Sequence, residues 1–278
     1  MATLNQLNED IQQHYTRPDL GNIILDALEQ AGKDRNRLTP EDLAPIDEFH
    51  IRGRAATLEL AQAVEIDSSK RVIDVGSGLG GTSRFLAREF GCHVIGIDLT
   101  KKYCRVAAML SSRIGLDELV DYCQGDATKL PFPEASVDVV WTEHVAMNIP
   151  DKSRFYQEIH RVLKPGGTLA VYEILAGPSG TLLFPVPWAQ TPETSFLVTP
   201  DELRKLLGQF NFKITTWSDK TEAARAWFRS LSEKIRKEGV PPLGFHVLLG
   251  PDFQIMAQNQ LQSLKEGGIV LAQLIAKK

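Results

Sequence analysis

The sequence predicts an α/β fold built around a mostly parallel sheet. Between residues 71 and 176, short apolar stretches alternate with amphipathic stretches of helical period. The first apolar stretch ends in a turn with three alternate glycines, Gly76, Gly78 and Gly80, and a second amphipathic stretch follows at once. Such strand–helix alternation is typical of a parallel sheet with helices on both faces.

Helices are predicted before the first strand. Residues 4–30 have helical periodicity that breaks at Arg17-Pro18, Thr39-Pro40 caps a short helical turn, and residues 53–64 are helical again. The alternating region then predicts five strands, at 71–75, 93–98, 120–124, 137–142 and 168–174. The helices between them are predicted at 82–90, 101–114 and 152–163.

The regular alternation stops after Ile174. Residues 177–198 form a loop rich in proline and aromatic residues, a composition and length typical of a lid or binding loop. A helix at 200–207, a strand at 213–217, helices at 221–238 and 252–265 and a last strand at 268–276 follow. The chain is therefore divided into a helical cap over 1–54 and a core over 55–278, with lid insertions at about 177–198 and 221–265.

Composition narrows the classes of partner and compartment. The 278 residues carry a formal net charge of −4, which gives no electrostatic footprint for nucleic acid. No apolar stretch has the length of a membrane span, and the N-terminal residues lack a signal-peptide pattern. The three cysteines have no metal-ligand spacing, which predicts free thiols in the cytoplasm and no metal site. We expect a monomer or a homodimer.

The glycine turn predicts a site for a nucleotide-like ligand. Gly76, Gly78 and Gly81 satisfy the G-x-G-x-x-G pattern, in which glycines let the backbone approach a ligand closely. Asp98 ends the second strand about 20 residues later, where an acid would meet a ribose hydroxyl. A dehydrogenase and a methyltransferase would both have these features.

Three further features favour the methyltransferase. Asp74 stands two residues before the glycine turn, and Gly125-Asp126-Ala127 follows the third strand. The segment from Arg161 to Gly167 leads into the fifth strand. Together these motifs resemble the class I S-adenosylmethionine-dependent methyltransferases of the type 11 group, over nearly all of residues 55–176. The resemblance implies a Rossmann-like sheet of seven strands, mostly parallel, with the last strand antiparallel.

The resemblance also implies the residues that bind the cofactor. The glycine turn would approach the methionine moiety, the acid at Asp98 the ribose hydroxyls, and the acid at Asp126 the adenine amino group. S-adenosyl-L-methionine carries a sulfonium and an ammonium but no phosphate, so a site rich in acids suits it better than a pyrophosphate. The predicted cofactor residues are Asp74, Gly76, Ser77, Gly78, Asp98, Leu99, Asp126, Ala127, Glu143 and His144.

The end of the fourth strand and the preceding helices supply the predicted acceptor site. Ligands of open α/β sheets lie beyond the carboxyl ends of the strands, where His144 follows the fourth strand. His144 and His50 are the candidate general bases, and His144 has an alternative role as a wall of the cofactor site. Candidate substrate contacts are Tyr15, Arg52, Met147, Asn148, Phe184 and Trp188.

Patterns around residues 47–50, 145–149 and 184–189 resemble the sarcosine/dimethylglycine-type methyltransferases. The first hypothesis is therefore methyl transfer from S-adenosyl-L-methionine to an amine such as a methylated glycine, with S-adenosyl-L-homocysteine as product. A C- or O-methyltransferase acting on a quinone precursor or another larger metabolite is the alternative. Two other classes stay open, a dinucleotide-dependent oxidoreductase and a catalytically silent cofactor-binding protein.

Overall fold

A seven-stranded sheet forms the centre of the computed structural model, which describes residues 4–15 and 17–278. The strands are β1 (Arg71–Val75), β2 (His93–Asp98), β3 (Val120–Gln124), β4 (Val137–Glu143), β5 (Leu163–Ala176), β6 (Lys213–Asp219) and β7 (Ile269–Lys277). Their order across the sheet is β3-β2-β1-β4-β5-β7-β6. The first five strands pair in parallel, and β7 runs antiparallel to both β5 and β6. This topology confirms the predicted fold class.

Helices cover both faces of the sheet. In chain order they are α1 (Leu4–Tyr15), α2 (Leu20–Gln30), α3 (Pro40–Asp47), α4 (Arg54–Ala61), α5 (Gly81–Phe90), α6 (Lys101–Arg113), α7 (Lys152–Val162), α8 (Pro200–Gln209), α9 (Thr221–Glu238), α10 (Phe245–Leu249) and α11 (Phe253–Lys265). Within the described ranges, no helix is both long and apolar enough to cross a membrane.

The central strands bury both of their faces, because helices pack on each side of the sheet, whereas the edge strands β3 and β6 are largely exposed or half-buried. Successive residues of β1 contribute to different apolar clusters: Val72 packs in one, and Ile73 and Val75 pack in the other. The period-2 geometry of a strand produces this division. The predicted bounds of the first three strands coincide with the structure.

The fifth strand is longer than predicted. Residues 164–167, expected as a turn before it, lie inside β5 as an irregularity that shifts its pairing with β4. Gly166 has φ 76°, which is the left-handed conformation that the turn prediction required. The local conformation was therefore correctly predicted, but the pairing with β4 on either side was not.

The N-terminal helices share a core with the rest of the chain. Leu28, Leu43 and Ile46 of α2 and α3 pack in one apolar cluster with Leu110 of α6 and Leu248 of α10. The division at residue 54 therefore stays a proposal, and residues 1–3 and 16 of the predicted cap lie outside the described residues.

A buried ion pair joins α3 to the helix that follows the glycine turn. The Arg84 guanidinium donates to the carboxylate of Asp47 and to the carbonyl oxygen of Leu79 at 2.7 Å. Gly81 permits this contact, because a Cβ there would overlap the backbone of Asp47. The N-terminal helices are thereby fixed against the turn that bears the candidate site.

Candidate active site

One cavity of about 540 Å³ lies at the carboxyl ends of β1, β2 and β4. This is the edge of an open α/β sheet at which ligands bind. The structure brings to it nearly all of the site residues expected from the sequence. Those lining the cavity are Tyr15, His50, Asp74, Gly76, Ser77, Gly78, Asp98, Leu99, Asp126, Ala127, Glu143, His144, Met147, Asn148 and Trp188.

Arg52 and Phe184, predicted as substrate contacts, are not among the residues that line this cavity. The Arg52 guanidinium donates to Glu59 at 2.7 Å, and Lys220 pairs with the same carboxylate. Arg52 thus already has an anionic partner within the protein. The Phe184 side chain packs against the apolar cluster on one face of the sheet.

The glycine turn provides a closely fitting wall. A Cβ at Gly76 would overlap the side chain of Val145, whereas the space beside Gly78 is open. Both glycines have positive φ values, 74° and 54°. Between them, the buried Ser77 hydroxyl has no hydrogen-bond partner in the described residues. The turn therefore presents backbone and an unpaired hydroxyl to a ligand that lies directly against it.

Two further acids stand at the ends of β2 and β3. Asp98 accepts hydrogen bonds from the backbone N–H groups of Gly78, at 2.9 Å, and Thr100, at 2.7 Å. Burial raises the pKa of Asp98, although these two bonds oppose the shift. Asp126 accepts from the Thr128 N–H and hydroxyl through one oxygen, and its other oxygen faces the Asn8 amide at 3.5 Å. Both carboxylates are held by backbone and retain lone pairs for ligand hydroxyl or amino groups.

Asp74 is the most deeply buried acid of the group. It accepts a hydrogen bond from the Ser83 hydroxyl at 2.6 Å. Burial raises the pKa of its carboxyl to about 7, and the charges of Glu143 and Asp98 add to the effect. A carboxyl whose ionisation is suppressed in this way becomes a strong partner for a cation that enters the site.

The affinity for a cationic ligand should therefore depend on pH. Below about pH 7 the Asp74 carboxyl is protonated, and a cation must displace that proton. We expect the affinity for S-adenosyl-L-methionine to rise with pH by up to about tenfold per unit below pH 7 and then to level off. Calorimetry between about pH 5.5 and about pH 8.5 measures this affinity on both sides of the Asp74 titration. In the Asp74→Asn variant the slope should be lost, and an unchanged slope would exclude Asp74 as its source.

A buried pair connects β4 to the segment before α4. His50 Nε2 lies 3.4 Å from a Glu143 carboxylate oxygen, and the hydroxyls of Thr57 and Thr82 donate to the same carboxylate at 3.1 and 2.8 Å. Burial lowers the pKa of His50, but the charge and hydrogen bond of Glu143, together with the charge of Glu48, outweigh burial and raise the pKa. Burial would likewise raise the pKa of Glu143, and His50 lowers it. The pair is therefore a charged imidazolium–carboxylate pair.

His144 has a different protonation state. Its ring stacks on His50 with centroids 5.8 Å apart and meets the edge of Tyr172 at 4.7 Å. Burial lowers its pKa well below 6.5, and the charge of His50 lowers it further. Neither ring nitrogen has a hydrogen-bond partner in residues 4–15 and 17–278. His144 also has φ 53°, an uncommon conformation for a non-glycine residue that is often found at functional sites.

Two buried charged side chains, Glu173 and Lys152, fix the turn that follows β4. The Glu173 carboxylate accepts from the N–H groups of Ala146, at 2.7 Å, and Val145, at 3.3 Å. The Lys152 ammonium donates to the carbonyl oxygens of Ala146 and Ile149 at 3.0 and 2.8 Å, and also to that of Phe196. Burial raises the pKa of Glu173 to about 7 and lowers that of Lys152 to about 8. These groups fix the backbone that carries Met147 and Asn148.

Asn148 connects this turn to two covering segments. Its amide donates to the carbonyl oxygens of Trp188 and Thr194, both at 2.8 Å, and its oxygen accepts from the Tyr15 hydroxyl at 2.9 Å. The residue assigned from the sequence as a substrate contact therefore joins the N-terminal helix and the proline-rich loop over the cavity.

Sequence reasoning missed much of the cavity wall. The apolar residues of α9 to α11 line it, as do Ile11 of α1 and Phe49 before α4. The missed side chains from the C-terminal helices include Trp227, Phe228, Leu231, Phe245, Leu248 and Phe253. The sequence signal for this part of the wall was the number of aromatic residues in helices that were predicted to form an insertion. No group of three or more metal-ligating side chains occurs in the described parts of the chain.

Comparison with known proteins identifies the domain. Residues 73–171 match a family model described as Methyltransferase domain. The chain is 25% identical over 261 residues to the glycine/sarcosine/dimethylglycine N-methyltransferase of Actinopolyspora halophila. The aligned residues cover 94% of this chain and 43% of that protein. It is 26% identical to the sarcosine/dimethylglycine N-methyltransferase of Halorhodospira halochloris, with 84% of each covered. The sterol 24-C-methyltransferase of Saccharomyces cerevisiae is 30% identical over 62% of this chain and 50% of its own length.

Solved structures share the fold. The geranyl diphosphate C-methyltransferase of Streptomyces coelicolor A3(2) superimposes with a TM-score of 0.72 at 17% identity, over 100% of this chain and 99% of that one. The [4+2]-cyclase SpnF superimposes with a TM-score of 0.70 at 24% identity, over 98% and 96%. The chain thus spans less than half of the first relative named above and nearly all of these structures.

Proposed function

We propose that this chain, an S-adenosylmethionine-dependent methyltransferase with its domain at residues 73–171, methylates a small molecule at an oxygen or carbon whose proton His144 accepts. The observation that carries this proposal is the state of His144. It is neutral, it lines the cavity, and neither of its ring nitrogens is hydrogen-bonded within the described residues. The oxidoreductase hypothesis is dropped, since the matched domain is a methyltransferase domain.

The acids and the glycine turn fit the cofactor. S-adenosyl-L-methionine, when bound, supplies an electrophilic methyl group. Gly76 and Gly78 would lie against its methionine moiety, Asp98 would accept from the ribose hydroxyls, and Asp126 with Leu99 and Ala127 would hold the adenine. The hydrogen bond from the Gly78 N–H to Asp98 supports this arrangement, because it occupies a donor that a phosphate would need.

The two histidines have different parts in this proposal. His50 is charged through its pair with Glu143, so it has no free lone pair and cannot accept a proton. Neutral His144 has one, and a base of this kind contributes when the acceptor atom must lose a proton as the methyl group is transferred. The charged pair positions the His144 ring through the stacking of His50.

Amine methylation is the second candidate. The two relatives with matches over 94% and 84% of this chain are N-methyltransferases of methylated glycines by name. The sterol C-methyltransferase at 30% identity favours the carbon acceptor instead. A neutral amine attacks through its own lone pair and does not require His144 as a base.

A labelled-methyl transfer screen tests the proposal. Purified protein is incubated with S-adenosyl-L-methionine labelled on the methyl group and with panels of phenols, enolisable carbonyl compounds, prenylated quinols and methylated glycines. We expect label in an oxygen or carbon product. Transfer to dimethylglycine alone would replace the proposal by the amine hypothesis, and absence of transfer and of cofactor binding would refute both.

The partner, the compartment and the oligomeric state belong to the same proposal. The acceptor is the partner, with no nucleic acid involved, and the protein acts in the cytoplasm as a monomer or a homodimer. Cys92, Cys104 and Cys123 are free thiols in the structure. Burial raises the pKa of the Cys92 thiol to about 11, so this group stays protonated and takes no part in the chemistry.

A further inference from the structure

The end of the cavity formed by the C-terminal helices is apolar. Six large apolar side chains from α9, α10 and α11 line it: Trp227, Phe228, Leu231, Phe245, Leu248 and Phe253. Four of them, Trp227, Leu231, Phe245 and Phe253, are only partly buried, which leaves apolar surface available to a ligand in the cavity. No step of the methyl transfer proposed above uses this wall.

Aromatic rings run from the cofactor region to this wall. Tyr103, beside the end of β2, contacts Tyr15 at 6.2 Å between ring centroids, and Tyr15 contacts Phe49 at 6.5 Å. Phe49 then contacts Phe245 at 5.0 Å, and Phe245 contacts Phe253 at 6.5 Å. A ligand extending along these rings stays in contact with aromatic surface over its length.

Gln260 is the polar exception in the C-terminal part of the wall. Its residue is 7% exposed, it lines the cavity, and its side-chain amide makes no hydrogen bond within the described part of the chain. Because the residue lines the cavity and no described residue bonds its amide, the amide is available to a ligand that enters the cavity. An amide can donate to a carbonyl and can both donate to and accept from a hydroxyl.

Charge excludes one class of acceptor. Apart from the two histidines, Lys129 and Arg154 are the cations in the described lining, and each follows an acid of the lining by three residues, Asp126 and Asp151. Arg154 already bonds the Thr128 carbonyl oxygen and Gln157 and pairs with Glu158. The His50 cation is already paired with Glu143, so a carboxylate near His144 would be buried beside Glu143 without a free counter-charge, which is strongly unfavourable.

We infer that the acceptor is a neutral, mostly apolar molecule, with its hydrocarbon part on the wall of α9 to α11 and one hydroxyl or carbonyl oxygen on Gln260. This inference rests on the proposed function, because it identifies the acceptor class of the same site. It separates the chain from the amino-acid acceptors that its N-methyltransferase relatives are named for.

Binding measured without chemistry tests the inference. Protein saturated with S-adenosyl-L-homocysteine is titrated in a calorimeter with 1-naphthol, 1-naphthoate and dimethylglycine at neutral pH. Naphthol and naphthoate have the same rings and differ in charge. We expect 1-naphthol to bind at least about tenfold more tightly than 1-naphthoate and dimethylglycine not to bind. Equal or tighter binding of naphthoate, binding of dimethylglycine, or no binding of naphthol would each overturn the inference.

The Gln260→Leu variant tests the polar contact. It should weaken 1-naphthol by about tenfold and leave 2-methylnaphthalene, which lacks the oxygen, bound as tightly as before. The Gln258→Leu control changes an exposed residue of the same helix and should alter neither affinity. S-adenosyl-L-homocysteine affinity reports that each variant is folded. If Gln260→Leu affects both ligands equally while cofactor affinity holds, Gln260 is structural. Because no methyl transfer is measured, these results are independent of whether His144 is a base.

Discussion

Replacing His144 by alanine is expected to lower methyl transfer by about 10²–10⁴-fold, the usual contribution of a positioned general base. The affinity for S-adenosyl-L-homocysteine should change little, because the carboxylates of Asp98 and Asp126 and the glycine turn are unaffected. Since burial and the His50 charge keep the pKa of His144 well below 6.5, its contribution to the rate should be constant from about pH 6.5 upward. Steady-state rates and calorimetry on the same preparations measure both quantities.

The control for this prediction is His93→Ala. His93 is exposed at the opposite end of the sheet, where β2 begins, and its loss should leave rate and affinity unchanged. If His144→Ala lowers rate and cofactor affinity by the same factor, His144 is a wall of the cofactor site. If the variant retains its full rate on an amine, the acceptor needs no base.

Replacing Glu143 by glutamine is expected to destabilise the fold by about 3–5 kcal/mol, because it leaves the buried His50 cation without its counter-charge. It also weakens the charge-assisted bonds from Thr57 and Thr82. The melting temperature should fall by roughly 10 °C. Chemical denaturation of the two proteins at about pH 5.5, between the ordinary pKa values of Glu and His, measures the difference in free energy of unfolding.

The pH dependence of this difference distinguishes the pair from simple packing. His50 has a raised pKa, so its contribution is present below its unfolded value of 6.5 and is lost as pH rises through the folded value. Glu143 has a lowered pKa, so its contribution is present above 4.5 and is lost as pH falls through the folded value. The difference in stability should therefore be largest between pH 4.5 and 6.5.

A double variant completes the cycle. Removing both charges, as His50→Leu with Glu143→Gln, should cost less stability than Glu143→Gln alone, since no unpaired buried cation remains. A double variant less stable than the single one by the full cost of His50→Leu would show that the two residues act independently.

Local patterns along the chain predicted the parallel half of the sheet and the acids at its edge. The first two strands are mainly apolar, and a glycine or an acid stands at the end of each of the first three, so local chemistry determines both. Asp98 and Asp126 follow different strands, and parallel pairing brings those strand ends to one edge. This is why motifs along the chain predicted most of the residues that line the cavity at the strand ends.

Contacts between distant segments were harder to predict from the sequence. Arg52 carries a guanidinium suited to binding a carboxylate, and only the fold shows that Glu59 already pairs with it. The wall of Trp227 and Phe245 belongs to helices whose register against the cavity depends on tertiary packing. Gln260 could not be distinguished in sequence from its exposed neighbour Gln258. Sequence therefore predicted most of the residues that line the cavity at the strand ends, but not those that α9 to α11 contribute to it.

The position of β7 has a consequence for how the protein is made. Residues 269–277 are synthesised after every other strand, yet they pair with both β5 and β6. Until they emerge from the ribosome, β5 has an unpaired edge along Thr168–Ala176, the stretch that includes Glu173. An exposed apolar strand edge is prone to pair with other chains. We therefore expect nascent chains stalled before residue 269 to depend on chaperones, and the site to acquire its final support only once residues 269–277 have paired with β5.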